Sequence, residues 1–258
     1  MTRDNWYGMI GTVAVIYCLI SGCQDDQKVD PQPESESTSV QSEQVKQQEQ
    51  QEFERCLKAA ESGDAVEQNN LGVMYANGTG VEKDQVEAVK WYRKSADQGT
   101  AKALYNLGYM YLNGDGVEQD QKQAIKLIHK AAEEGDPHAQ HELGVWYSEG
   151  YVVEQDQKQA AVWYRKAAEQ GLAESQYNLG QKYFNGEGVE KDLKQAVKWY
   201  RKAADQEIAM AQYNLGVMYF NGDGVEQDQK QAINLIRQAA NQGDELARET
   251  LRDLGESP

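Results

Sequence analysis

Ala209-Met-Ala-Gln-Tyr-Asn-Leu-Gly-Val-Met-Tyr-Phe-Asn-Gly-Asp-Gly-Val-Glu-Gln-Asp228 decides the fold, because something close to it stands five times in this 258-residue chain. The Leu-Gly pair recurs at Leu71-Gly72, Leu107-Gly108, Leu143-Gly144, Leu179-Gly180 and Leu215-Gly216. Every interval is 36 residues, with no insertion or deletion. A fixed period of that size means an array of like supersecondary units, each too small to bury its own apolar face and therefore stacked on its neighbours.

Each unit reads as two helices with punctuation. In the first, exemplified by Ala101 to Asn113, Leu107 and Tyr111 are four apart on one face with Ala103 a turn earlier, so this face packs inward. Gly108 sits beside Leu107, and glycine in a helix interior costs about 1 kcal/mol relative to alanine. Repeating that cost in five units points to a packing need. The helix ends at a glycine column (Gly78, Gly114, Gly150, Gly186, Gly222), the C′ position where a left-handed residue closes a helix. A second glycine follows at Gly80, Gly116, Gly188 and Gly224, with Val152 the exception. These pairs read as turns, since no third glycine or lysine stands where a phosphate loop needs one.

The second helix opens at Asp84, Asp120, Asp156, Asp192 and Asp228, with Glu87, Gln123, Gln159, Gln195 and Gln231 three residues on. Asp-x-x-Glu/Gln is a capping-box pattern, in which the Asp accepts from a free backbone N–H and the Glu or Gln reaches back. The cap accounts for the Asp column without metal or acid–base chemistry. An alanine column (Ala88, Ala124, Ala160, Ala196, Ala232) allows close helix contact. Trp91-Tyr92, Trp163-Tyr164 and Trp199-Tyr200 fill the core between units, replaced elsewhere by Leu127-Ile128 and Leu235-Ile236. Gly99, Gly135, Gly171 and Gly243 close the helix, and Glu207 breaks that column.

Half-units flank the five. Phe53 to Ser62 matches a second helix and Glu245 to Leu254 a first helix, so the array spans 53–254, followed by a tail at 255–258. Atypical ends are what a solenoid needs to cap its open core. Twelve helices with almost no strand follow: an all-α, α/α solenoid. Cys56 falls in the Tyr92 column and reads as a buried, inert thiol. It is the only cysteine within the array, so no intramolecular disulfide framework is possible there.

The pattern Ala-x-Ala-x-Tyr-Asn-Leu-Gly-x-Met-Tyr-x-Asn-Gly-x-Gly-Val-x-x-Asp, followed by Ala-x-x-Trp-Tyr-Arg-Lys-Ala-Ala-x-x-Gly, closely resembles the Sel-1-like repeat family, α/α solenoids related to tetratricopeptide repeats. The resemblance covers most of the chain. It implies a right-handed superhelix whose first helices line a concave groove used to assemble protein complexes. Exported bacterial members are associated with envelope complexes, polysaccharide export, signalling and host-cell interaction. A cysteine-rich subgroup tied to β-lactam binding or hydrolysis carries a disulfide inside each repeat. This chain lacks those cysteine pairs, so that activity does not carry over.

The N-terminus is of another kind. Met9 to Ile20 is an apolar run, too short to span a bilayer comfortably but of the length of a secretory signal. Ile20-Ser21-Gly22-Cys23 resembles the bacterial lipobox, which implies a signal peptide at 1–22 and a diacylglycerated, then N-acylated, Cys23. More than one acyl chain gives stable anchoring. Gln24 in place of Asp after the cysteine implies, by the enterobacterial pattern, an outer-membrane destination facing the periplasm. Residues 23–52 are almost free of apolar side chains and carry Pro31 and Pro33, so they read as a lipid-anchored disordered tether whose last part, from Gln41, joins the array as helix.

The net charge is −16, and no basic cluster offsets it, which argues against nucleic acid as a partner. If first helices line a groove, its lining comes from two columns flanking the Leu column. One holds Tyr105, His141, Tyr177 and Tyr213 (with Asn69), and the other Tyr109, Val145, Gln181 and Val217 (with Val73). Tyrosine is enriched at interfaces; the same columns also suit packing between units. The Asn column (Asn70, Asn106, Asn178, Asn214) suits either a bound peptide backbone or the chain's own loops. His138, His141 and Glu142 have zinc-ligand chemistry, but the histidines stand in ordinarily varying columns, so no metal is expected. No Ser-x-x-Lys, Gly-x-Ser-x-Gly or His-Glu-x-x-His is present. The expectation is a non-enzymatic scaffold, without catalytic residue, cofactor or small-molecule substrate. It would be anchored to the membrane through its lipid and bind a protein or peptide of the envelope. A β-lactam- or peptidoglycan-directed hydrolase and a secreted host-interaction factor stand as alternatives.

Overall fold

The structure, a computed structural model, describes residues 34–256. These form twelve α-helices and, among the described residues, no strand: α1 Glu34–Glu61, α2 Ala65–Asn77, α3 Gln85–Asp97, α4 Ala101–Asn113, α5 Gln121–Glu133, α6 Pro137–Glu149, α7 Gln157–Glu169, α8 Ala173–Asn185, α9 Leu193–Ala204, α10 Ala209–Asn221, α11 Gln229–Asn241 and α12 Glu245–Asp253. The chain divides into two compact units, Met1–Ser42 and Glu43–Pro258, and the second holds the array. Within it each helix packs on the next, α2 on α3, α3 on α4 and so on to α12, as stacked helix pairs require.

The array begins earlier than Phe53. The tether, expected to turn helical only from Gln41, is helical from Glu34. From Glu34 to Glu52 there is neither glycine nor proline, and Glu, Gln and Lys lose little rotamer freedom in a helix. Once the apolar end of α1 is docked, extension adds one hydrogen bond per residue fixed. The contact with the array also starts before Phe53, since a Cβ on Gly80 would lie 2.2 Å from the Glu49 carbonyl oxygen. The signal at 1–22, Cys23 and the tether as far as Pro33 lie outside the described residues.

The capping box is half formed. Asp84, Asp120, Asp156, Asp192 and Asp228 each accept from the backbone N–H three residues on, and Asp84, Asp156 and Asp192 also from the one between. The reciprocal bond is not needed. Each of these aspartates already donates its own N–H to the carbonyl of a tyrosine in the last turn of the preceding helix, Asp84 to Tyr75 and Asp192 to Tyr183 among them, at 2.8–3.0 Å. Glu87 is thereby free to pair with Lys90 on the helix surface.

Two glycine columns set how closely helices approach. A Cβ on Gly180 would stand 2.7 Å from the Tyr200 ring; on Gly108 it would stand 2.6 Å from Ile128. The second glycine, in the four turns that carry one, touches the preceding unit, where a Cβ on Gly188 would lie 1.9 Å from the Gln157 carbonyl oxygen. The Leu column from Leu71 to Leu251 and the alanine column are fully or almost fully buried between these contacts. At the outer edge of the core, lysine ammoniums lie over tryptophan rings: Lys94 over Trp91 at 3.6 Å, Lys166 over Trp163 at 3.8 Å and Lys202 over Trp199 at 4.7 Å.

Cys56 occupies the place of Tyr92 one unit earlier, buried against α2, with its thiol donating to the Glu67 carbonyl at 3.3 Å. Burial, reinforced by Glu67, pushes that thiol up to about 12. Glu207 takes the left-handed conformation that glycine holds at the equivalent positions, with φ of 63°.

Three outcomes follow from these contacts. Gly180→Ala drives a methyl into a buried ring and lowers stability by about 1–3 kcal/mol in a urea melt; an unchanged midpoint would show that the close approach is not required. Glu207→Gly relieves a left-handed non-glycine residue and raises stability by about 0.5–1 kcal/mol by the same assay. In native buffer at pH 8, Cys56 stays unmodified by iodoacetamide, as read by peptide mass, and reacts once urea unfolds the array. Fast native labelling would mean that α1 opens.

Candidate functional site

The eight groove positions expected from the sequence stand together on the face of the first helices (α2, α4, α6, α8, α10), and every one is half-buried rather than exposed. Each leans on its neighbours. Tyr105 meets Tyr109 edge-on with ring centroids 4.9 Å apart, and His141 and Tyr177 lie 5.7 and 5.9 Å from Tyr164 and Tyr200. Gln181 Nε2 donates to the Tyr177 hydroxyl at 2.8 Å, and Tyr213 reaches Thr250 Oγ1 at 3.3 Å. Val145 packs against the buried cluster of Ala160, Tyr164 and Leu179, as Tyr147 does. These side chains seal the seam between units and keep one edge in solvent.

Three of the Asn column are engaged in the same seam, whereas exposed Asn70 donates to Glu67 on its own helix. Asn106 Nδ2 donates to Asn69 Oδ1 at 2.9 Å, Asn178 faces the Tyr164 hydroxyl, and Asn214 faces those of Tyr177 and Tyr200. Unit three departs from this column with Glu142. A cleft of about 280 Å³ opens between α8 and α10, lined by Gln181, Phe184, Tyr200, Tyr213, Asn214 and Val217 among others. It offers aromatic and amide surface and no charge, which suits an uncharged side chain of a bound polypeptide.

The histidines do other work. His141 Nδ1 lies 2.8 Å from Ser175 Oγ, and burial lowers its pKa below the ordinary histidine range. His138 is exposed, its ring 6.1 Å from that of Tyr105. Among the described residues no three His, Cys, Asp or Glu side chains come together as a metal site.

Two polar systems escaped the sequence reading. Buried Gln68, Gln140, Gln176 and Gln212 each donate to a carbonyl of the preceding second helix and accept, at 2.8 Å, from Gln98, Gln170, Gln206 and Gln242. The signal was present in the chain: both members are glutamine thirty residues apart in four units, and in the other both change together, to Leu104 and Glu134.

The second is Lys182, buried in a column that elsewhere holds Met74, Met110, Trp146 and Met218. Its ammonium donates to Ser148 Oγ at 2.9 Å, Gln157 Oε1 at 2.6 Å and Glu187 Oε2 at 3.0 Å. A lysine 2.9 Å from a serine hydroxyl invites comparison with a nucleophile and its base. The third partner gives the ammonium a structural role: Glu187, its pKa lowered chiefly by the hydrogen bond from Lys182, pairs with it at 3.0 Å. The group is a polar lock between units three and four.

With the geometry in place, comparison with known proteins is informative. The family model described as Sel1 repeat matches residues 68–100, 101–136, 137–172, 173–207 and 209–244. A protective antigen of uropathogenic Escherichia coli strains, solved as displaying an SLR fold, is 42% identical with a TM-score of 0.71 over 78% of this chain and 43% of that one. This chain thus spans less than half the length of that antigen. A Sel1 repeat protein from Oxalobacter formigenes is 35% identical over 78% of this chain and 88% of that one, with a TM-score of 0.67. No curated protein matches the sequence. Sel1 repeats typically act as protein–protein interaction scaffolds and are generally non-catalytic. Five matched units over an unbroken α/α array leave a single assignment: the chain belongs to the Sel1 repeat family.

Proposed function

We propose that this protein is a lipid-anchored scaffold of the bacterial cell envelope that binds a protein or extended peptide along the groove of its first helices. The observation that carries the reading is the first-helix face itself. Half-buried tyrosines and amides there form a continuous stripe that ends in the uncharged cleft between α8 and α10. Aromatic side chains held rigid by a seam lose little entropy on contact with a partner, which is what makes them effective interface anchors. Acylated Cys23 would hold the array at a membrane, in the outer membrane and facing the periplasm by the residue that follows it.

The reading has two separable halves, and one pair of measurements addresses both. Intact mass of membrane-extracted protein gives a triacylated species beginning at Cys23, while Cys23→Ala stays unmodified; a full-length unmodified chain would sink the anchor. Affinity capture from detergent-solubilised envelope returns a specific protein partner, and Tyr213→Ala with Val217→Asp loses it. Retention of the partner by that double variant would move binding off the groove.

A further inference from the structure

Unit three departs from its sisters outside the groove. The turn between α6 and α7 carries Tyr151 where the other units hold Thr79, Asp115, Glu187 and Asp223, and this tyrosine is 61% exposed. Val152, in place of the second glycine, and Val153 pack against the core behind it. On the outer face of α7, Val162 is 47% exposed where sister helices carry Lys90, Lys126, Lys198 and Asn234. Exposed Glu149, Glu154 and Lys158 surround the tyrosine in sequence.

A depression of about 750 Å³ opens beside this surface, between α7 and the start of α9. Arg165, one turn along α7 from Val162, lines it and donates to the Tyr183 hydroxyl at 2.7 Å. Tyr183 and buried Trp199 give it an aromatic floor, and Lys191, Lys198, Glu169 and Glu190 give it charged walls. Among the described residues none of those four side chains has an ion-pair partner.

We infer that this is a self-association surface, in which Tyr151 of one copy seats in the depression of a second copy. The chain supplies both halves of the contact. The aromatic tip meets an aromatic floor, the acids at its base meet Lys191 and Lys198, and Lys158 meets Glu169 and Glu190. Tip and depression lie on either side of Val162, so a two-fold axis there lets each copy fill the other and closes a dimer. An apolar centre inside a charged rim is the anatomy of such an interface. With a net charge of −16 the copies repel at long range, which leaves association to this local complementarity. The surface belongs to the second helices, so the dimer leaves the first-helix groove open and does not depend on the groove reading.

Sedimentation equilibrium of the full-length protein in density-matched detergent micelles, at about 100 µM, tests the inference beside Tyr151→Asp and Lys198→Glu. Units two and five carry aspartate at the first position and Lys198 is exposed, so both variants keep the fold, and a thermal melt checks it. Wild type is a dimer, and each variant alone associates about tenfold or more weakly. Mixing the two variants recovers association, because one keeps its depression and the other its tyrosine. A monomeric wild type would overturn the inference. Variants that associate as wild type does would trace the dimer to shared micelles and overturn it too. A mixture no better associated than its parts would show that Tyr151 and the depression do not meet.

Discussion

A tyrosine or isoleucine of each second helix seated on a glycine of the first is the contact on which the array depends. With 2.7 Å between the Tyr200 ring and the place of a Cβ on Gly180, the two helices are as close as their backbones allow. That distance fixes where the Leu column enters the core and how far Trp91, Trp163 and Trp199 must reach to cover it. It also fixes the turn between the helices, because the capping aspartate can hydrogen-bond to the tyrosine carbonyl only if the second helix starts directly against the first. A glycine that costs about 1 kcal/mol in helix propensity is retained five times because the closest contact in the unit has no other solution.

Between units the adhesive is more polar. Gln98, Gln170, Gln206 and Gln242 each tie a second helix to the buried glutamine of the first helix beside it, and three of them also reach a carbonyl of the preceding unit's turn. Hydrogen bonds of this kind contribute only about 1 kcal/mol each, but a buried amide tolerates one register and leaves an unsatisfied group in any other. The apolar columns are similar in every unit and would accept a slip. The amide ladder would not.

Almost all of the fold was legible because a strict period converts one local reading into five. What was missed lies ahead of the first unit or in contacts between stacked helices. Residues 34–40 carry no repeat and no apolar pattern, so their part of the helix was invisible to an argument built on burial; only the absence of glycine and proline marked it. The amide ladder connects positions thirty residues apart, a spacing with meaning only after the units are stacked. The half-burial of the Tyr105 and Tyr109 columns depends on the neighbouring unit, which a single helix pattern does not contain. Ser148, Gln157, Lys182 and Glu187 are each unremarkable in sequence and become a lock only in three dimensions.

Units three and four each carry a departure from the period, and both departures follow one physical logic. Lys182 replaces a core methionine and is answered locally: Ser148, Gln157 and Glu187 supply acceptors for its ammonium. Glu142 replaces a seam asparagine in the unit where Trp146 replaces the core methionine, and its carboxylate accepts from the Tyr109 hydroxyl and from the buried indole N–H of Trp146. Each is a closed exchange, in which a new polar group brings its partner with it. A scaffold whose units must seat on one another at fixed distance therefore changes in groups of residues rather than singly.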